Sequence, residues 1–193
     1  MAFTPLQTER LILRPYEFSD IPALMPLIGA REVAATTLRI PHPYTESYAR
    51  EFIAGAQEDL SSGSNLRLGI ILRASDTLCG GVGFRIDPEH RRAELGYWIG
   101  VPYWGNGYAT EAAASLVKYG FSTLGLHRIF ASYVTKNTAS ARVLRKIGMR
   151  HEGCHRGHIL KWGEFLDVEM YGMLASDAER LPTTILGQIP QSE

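Results

Sequence analysis

The chain has 193 residues and is 45% apolar, which is within the range of one domain and sufficient to fill a core. Twenty Lys and Arg balance twenty Asp and Glu, so the formal net charge is zero. No like-charge run marks a nucleic-acid footprint. No apolar stretch approaches the ~20 residues that span a bilayer, and the N-terminus lacks an apolar signal core. Two cysteines, Cys79 and Cys154, do not make a disulfide framework. The expectation is a cytoplasmic protein with neither a nucleic-acid nor a membrane partner.

Taken in order, Arg10 to Arg14 alternates around Leu11 and Leu13 and reads as a strand. Ser19-Asp20 caps a helix through Leu24, Leu27 and Ile28, with Pro22 in its first turn. Residues 31–45 read as a loop. Thr45 caps a second helix, Glu46 to Leu60, which Ser61-Ser62-Gly63 ends. Two alternating runs follow, Leu66 to Leu72 and Leu78 to Ile86, with Gly80-Gly81 marking a bulge, a close backbone approach or plain tight packing. The connections between residues 66 and 100 are too short for crossovers, so these strands run antiparallel.

The stretch from Ala93 to Leu124 organises the rest. Strand Glu94 to Val101 is followed by Trp104-Gly105-Asn106-Gly107-Tyr108-Ala109 and then a helix. Ala109, Ala112, Ala113, Leu116, Val117, Gly120, Phe121 and Leu124 form one apolar stripe at helical period. Glu111 lies at the positive end of the helix dipole. Glycines at 105 and 107 allow successive N–H groups to form a concavity, and the first-turn N–H groups point the same way. Such a turn is an anion site suited to pyrophosphate; the alternative is a sharp strand-to-helix turn and nothing more. It is not a P-loop, because Tyr108 follows Gly107. It is not the dinucleotide fingerprint either, because Thr110 replaces the third glycine and no acid ends the next strand. Strand Arg128–Val134 lies parallel to the one before the long helix. Asn137 caps a helix, Thr138 to Ile147, that Gly148 ends. Strands near 149–158 and 165–174 complete one sheet, and 176–193 forms a C-terminal tail after a single domain spanning 1–175.

Trp104 to Ala109 resembles the acyl-CoA pyrophosphate loop of the GCN5-related N-acetyltransferases (GNAT), Q/R-x-x-G-x-G/A, with Trp in place of the usual Gln or Arg. The run PYWGNGYATEA is similar to the branch that acetylates ribosomal-protein N-termini (RimJ/RimL-like). Residues 8–14 (TERLILR), 93–99 (AELGYWI), Asn137-x-x-Ser140 and Lys146-Ile147-Gly148-Met149 agree in order. The resemblance covers roughly residues 7 to 174. It implies an α/β (α+β) fold: a mixed, mostly antiparallel sheet of about seven strands with helices on both faces, in the order β-α-α-β-β-β-α-β-α-β-β.

It also implies acetyl transfer from acetyl-CoA to a primary amine by direct attack in a ternary complex. The acceptor is a protein N-terminus, ribosomal by branch resemblance, or a small amine. The resemblance assigns the cofactor to Ile99, Val101, Trp104, Gly105, Asn106, Gly107, Tyr108, Ala109, Thr110, Asn137 and Ser140, with backbone groups at 99 and 101 pairing the pantetheine amides. Arg142, Arg145 or Lys146 would reach the ribose phosphate; the alternative is a solvated helix face. Glu94 is the candidate base, with its apolar neighbours Tyr97 and Trp98 raising its pKa; the alternative is a strand Glu paired with Arg91, Arg92 or Arg85. Asp167 and Glu169 are weaker candidates, for a substrate cation. Arg145 stands where many relatives carry a general-acid Tyr, which leaves Ser140 to serve the leaving thiolate or simply to cap its helix.

Two constellations are discounted. His151, Cys154, His155 and His158 have ligand-like spacing, but strict alternation sends His151 and His155 to one face and Cys154 and His158 to the other, so no metal is expected. Cys79 and Cys154 read as inert thiols. The acceptor pocket falls to the loops at 31–45 and 155–165, with Tyr44 and Trp162 lining it or packing. A homodimer through the C-terminal strands is one assembly the pattern would allow, and a non-catalytic acyl-CoA-binding module of the same fold is the competing function.

Overall fold

A computed structural model describes residues 3–178. Eight strands form one sheet in the order β1-β2-β3-β4-β5-β6-β8-β7. They are β1 (Leu6–Gln7), β2 (Leu11–Pro15), β3 (Asn65–Leu72), β4 (Thr77–Asp87), β5 (Arg92–Ile99), β6 (Arg128–Val134), β7 (Arg150–Lys161) and β8 (Glu164–Leu174). The helices are α1 (Ile21–Ile28), α2 (Arg31–Thr36), α3 (Glu46–Ser62), α4 (Tyr108–Ser122), α5 (Thr138–Lys146) and α6 (Ala175–Ala178). Every neighbouring pair is antiparallel except β5–β6. The expected architecture stands with three additions: the two-residue β1, the six-residue α2 inside the stretch read as a loop, and the C-terminal α6. The expected tail from 179 onward lies outside the described residues. Among those described, no helix is long and apolar enough to cross a membrane.

The local signals act as read, except that Asp20, read with Ser19 as the cap of α1, makes no side-chain bond to the start of α1 and accepts instead from the Glu17 amide and Arg14. Thr45 accepts from the Tyr48 amide at the start of α3, and Gly63 ends that helix at φ 74°. Asn137 Oδ1 accepts from the Ser140 amide at the start of α5. The β3–β4 register shifts by one residue between Ile70 and Ile71, so Cys79 is the extra residue of a bulge beside Gly80. α2 has no side-chain cap, and tertiary contacts hold it instead: Val33 and Ala34 are fully buried.

Two apolar clusters occupy the two faces of the sheet. The larger joins Leu11, Leu13, Phe84 and Ile129 to Ala112, Ala113, Leu116 and Val117 of α4. The smaller joins Tyr16, Ile71 and Leu78 to Leu24 and Ile28 of α1 and Ile53 of α3. Burying one Leu such as Leu116 against the sheet contributes about 2–3 kcal/mol.

The chain just before β2 locks the start of α4. Thr8 Oγ1 donates to Glu111 Oε1 at 2.6 Å, the Arg10 amide donates to the same oxygen at 2.9 Å, and Arg10 Nε donates to Oε2 at 2.7 Å. Arg10 also donates to the Asn106 carbonyl at 3.0 Å and lies over the Tyr108 ring at 5.0 Å. Burial pushes the Glu111 carboxyl up, but these donors outweigh it and hold the group below its ordinary range.

Glu111→Gln keeps the shape of this brace and removes its charge. It is expected to lower the unfolding free energy at neutral pH by about 1–3 kcal/mol, the worth of hydrogen bonds to a charged group. A depressed folded-state pKa stabilises above the unfolded value of 4.5 and loses that contribution as pH falls through the folded value. Urea unfolding of the two proteins should therefore differ at pH 7 and converge as the pH falls below 4.5. A gap that persists in acid would show that the charge is not what the brace relies on.

Candidate active site

β5 and β6 stay paired for three residues only, Arg92↔Arg128, Ala93↔Ile129 and Glu94↔Phe130. Beyond them β5 continues along β4 as far as Ile99, and β6 continues along β8 as far as Val134. The two strands part, and the β5 edge from Leu95 onward has no strand partner on that side. Two clefts open around this gap.

The first, about 400 Å³, runs from the glycine turn to the start of α5. Gly105 and Gly107 adopt φ 80° and 79°, the left-handed region where a side chain would strain the backbone. The first α4 amide with a helical acceptor is Glu111, bonded to the Gly107 carbonyl. Among the described residues no protein group accepts from the amides of Gly105 through Thr110. That row of free donors at a helix N-terminus fits a pyrophosphate. Nothing lies within 4 Å of a Cβ built on Gly105, so the approach is open.

Of the residues assigned to the cofactor, Ile99, Trp104, Gly105, Gly107, Tyr108, Ala109, Thr110, Asn137 and Ser140 line this cleft, as do Arg142 and Lys146. Val101 and Asn106 do not. Val101 starts a 3-10 turn, Val101–Tyr103, with its side chain exposed. Asn106 Nδ2 donates to the Tyr103 and Trp104 carbonyls at 3.1 Å each, closing its own turn. Arg145 lies outside the cleft. Trp104 Nε1 donates to the Ile99 carbonyl at 2.7 Å, which takes one acceptor site from a backbone group expected to face the pantetheine.

The second cleft, about 430 Å³, lies on the α1–α3 side of the sheet. Gly81 and Gly83 of β4 and Gly96 of β5 line its floor; Tyr16 and Trp98 cover Gly81 and the Leu66 carbonyl lies against Gly83, so open backbone is presented at Gly96. The roof is the segment from Thr36 to Tyr44. That segment is tied down where it leaves α2: Asn137 Nδ2 donates to the Thr36 carbonyl at 2.9 Å, and Lys161 Nζ donates to the carbonyls of Ala34 and Thr37. Trp162 does not line the cleft; it packs edge-on against His42 and under Arg31. Tyr44 does line it, and burial pushes its hydroxyl up to about 12.

The two clefts meet at Thr36, Thr37, Tyr97, Trp98 and Ser140, which line both. The Tyr97 hydroxyl donates to the Ser140 carbonyl at 3.4 Å across the gap. Burial pushes that hydroxyl well above its ordinary range, so it stays protonated and a donor. Ser140 Oγ accepts from Asn137 Nδ2 at 3.1 Å. Sequence reasoning did not single out Tyr97, Thr36 or Thr37; nothing in their spacing shows that the strands part beside them.

Glu94 lines the second cleft and is mostly buried. Its Oε1 accepts from Ser132 Oγ at 3.0 Å, its Oε2 accepts from Arg39 at 2.7 Å, and Arg85 lies 3.6 Å away. Its surroundings are therefore two guanidinium groups and a hydroxyl, not the apolar setting expected from Tyr97 and Trp98. Asp167 and Glu169 line neither cleft: Asp167 accepts from the Gly157 amide at 2.7 Å, and Glu169 accepts from His151 at 2.6 Å and Thr135 at 3.3 Å. β7 also breaks strict alternation, because its register shifts between His155 and Ile159, and the His155 and His158 rings come 4.9 Å apart. Cys79 is buried and Cys154 is exposed on β7, both away from the junction.

The acetyltransferase (GNAT) domain family model matches residues 10–150. The N-acetyltransferase p20 of Bacillus licheniformis is 37% identical over 171 residues, covering 88% of this chain and 95% of that protein. The ribosomal protein uS5-alanine N-acetyltransferase of Escherichia coli (strain K12) is 31% identical over 83 residues, 43% of each chain. Among solved structures, RimL, a ribosomal L7/L12 alpha-N-protein acetyltransferase in complex with coenzyme A, has a TM-score of 0.83 at 22% identity, over 91% of this chain and 99% of that one, a likeness of fold. With its free-amide turn, its parted strands and these relatives, the chain belongs to the GNAT acetyltransferases and is an acetyl-CoA-dependent N-acetyltransferase.

Proposed function

We propose that the protein acetylates a primary amine, a polypeptide N-terminus or a small amine, that enters through the cleft roofed by Thr36 to Tyr44. The observation that carries this reading is the meeting of two clefts at Tyr97, Trp98 and Ser140, one ending in a phosphate-type turn and the other floored by glycines. A relative named for the alanine of a ribosomal protein supports a polypeptide amine.

Acetyl-CoA supplies the thioester. The free amides of Gly105 to Thr110 would take its pyrophosphate, and Arg142 and Lys146 would meet its remaining phosphate. The slot between β5 and α5 would lead the arm past Asn137 to the junction. There the amine nitrogen bonds to the thioester carbonyl carbon and the carbon–sulfur bond breaks. An α-amine has a reference pKa near ~8, so at neutral pH it must lose a proton to attack. Glu94 would take that proton through Ser132 Oγ and a chain of waters, and the Tyr97 and Ser140 hydroxyls would face the leaving sulfur. A covalent acyl-enzyme has no support, because neither cysteine reaches the junction.

Three variants test this. Glu94→Gln should lower kcat about 100-fold or more at pH 7, with a smaller loss above pH ~8, where the amine is already neutral; an unchanged rate across pH removes Glu94 as base. Gly107→Val forces a branched residue to φ 79° and narrows the free-amide turn. Acetyl-CoA at about 100 times its dissociation constant should stabilise the wild type by about 2.7 kcal/mol, and that thermal shift should vanish in the variant. Nothing lies within 4 Å of a Cβ on Gly96, so Gly96→Val should fold normally and fill the acceptor cleft. It should cut kcat/KM for the acceptor more than about tenfold and leave the acetyl-CoA thermal shift intact. Loss of the cofactor shift, or full acceptor activity, would contradict the assignment of this cleft to the acceptor.

A further inference from the structure

The acceptor cleft carries charge at one end only. Asn65, Arg85 and Glu94 are register partners across β3, β4 and β5, so they share a face, and Arg39 comes down from the roof onto the same carboxylate. Arg67, one row nearer the junction, is already matched by Asp59 at 2.6 Å. Glu94 is thus the one carboxylate between two guanidinium groups. Arg39 takes its Oε2 at 2.7 Å, while Arg85 stands off at 3.6 Å and is 64% exposed. Among the described residues, three guanidinium groups face two carboxylates at this mouth, which leaves one positive charge in excess, on an Arg85 that shares Glu94 with Arg39.

An acceptor amine is itself a cation until it is deprotonated, so an excess positive charge on its route is repulsive unless the acceptor also brings a negative one. The spacing says where that charge would be. Glu94 precedes Tyr97 by three residues of β5 and faces the other side of the strand, so the arginine row and the junction are at least about 10 Å apart. In an extended peptide the side chain of the second or third residue lies at about that distance from the α-amine. Resting on the reading that this cleft takes the acceptor, we infer that the preferred acceptor is an acidic amine. Its primary amine reaches Tyr97 and Ser140, and a carboxylate about 10 Å away pairs with Arg85 at the mouth. Arg85 and Arg39 are then specificity residues for a carboxylate, and the glycine floor is the apolar spacer between the two ends.

The test uses the purified full chain, acetyl-CoA and thiol release. The acceptors are hexapeptides with free Ala N-termini that carry Glu, Gln or Lys at the third position, together with the small acidic amine γ-glutamylglycine and its neutral amide. The expected order of kcat/KM is Glu above Gln above Lys, with about a fivefold step for the charge, the upper range for one partly exposed pair. That step should shrink in 0.5 M salt. Arg85→Glu should invert the order so that the Lys peptide becomes the best; its unchanged thermal midpoint would show that the inversion is not a folding defect. If the small amines show the acidic preference and the peptides are inert, the carboxylate site stands and the acceptor is a small molecule. Equal rates for Glu, Gln and Lys peptides, or an order that Arg85→Glu does not alter, would overturn the inference while leaving amine acetylation in place. Absence of amine-dependent thiol release with every acceptor would overturn the acceptor reading of the cleft and this inference together.

Discussion

Everything that bears on function depends on the short parallel seam between β5 and β6. Three residue pairs join two otherwise continuous half-sheets, β1 to β5 and β6 to β8. A longer seam would close the gap and bury the junction. A shorter one would leave the halves without a common register. The parted edges bring a β5 tyrosine, Tyr97, against the α5 backbone at Ser140, and the hydrogen bond between them bridges the gap where the strand ladder has stopped. The clefts on either side share their lining there, so on the proposed assignment the fold itself decides where the two substrates would meet.

The second constraint is rigidity behind the glycine turn. Glycine at 105 and 107 lets the amides converge, but it also makes the unbound loop entropically loose. Thr8 and Arg10 offset that looseness by gripping Glu111 in the first turn of α4, and Arg10 reaches on to the Asn106 carbonyl. The Asn106 amide side chain closes the turn from inside, and the Trp104 indole fastens it to the end of β5. The amides are thereby aimed before any anion arrives, which reduces the ordering cost of binding. Trp104, unusual at its position in the family pattern, has a structural partner that explains it.

Much of this was legible from residues close in sequence. The caps at Thr45 and Asn137, the stop at Gly63, the stripe on α4 and the turn at 105–107 are interactions within about one helical turn. Legibility failed where long-range contacts overrode local preference. α2 has no cap and lies in a stretch read as loop; Asn137 and Lys161, more than a hundred residues away, hold its C-terminal end. His155 and His158 come together because Gly157 lets β7 take extra residues that strict alternation does not allow. Arg39 meets Glu94 across 55 residues of sequence, so a carboxylate read as sitting among aromatic rings is held instead by guanidinium groups.

The sequence by itself determined the order of the elements apart from β1, α2 and α6, the antiparallel run from β3 to β5, the parallel return through α4 and the place of the phosphate-type turn. Each of these follows from periodicity, capping and glycine, which act over a few residues. Only the tertiary structure decided what the turn is used with. Where β5 leaves β6, which glycines become a floor and which arginines gather at a mouth are set by register across the sheet. Register is a property of pairs of strands and is not written in either strand alone.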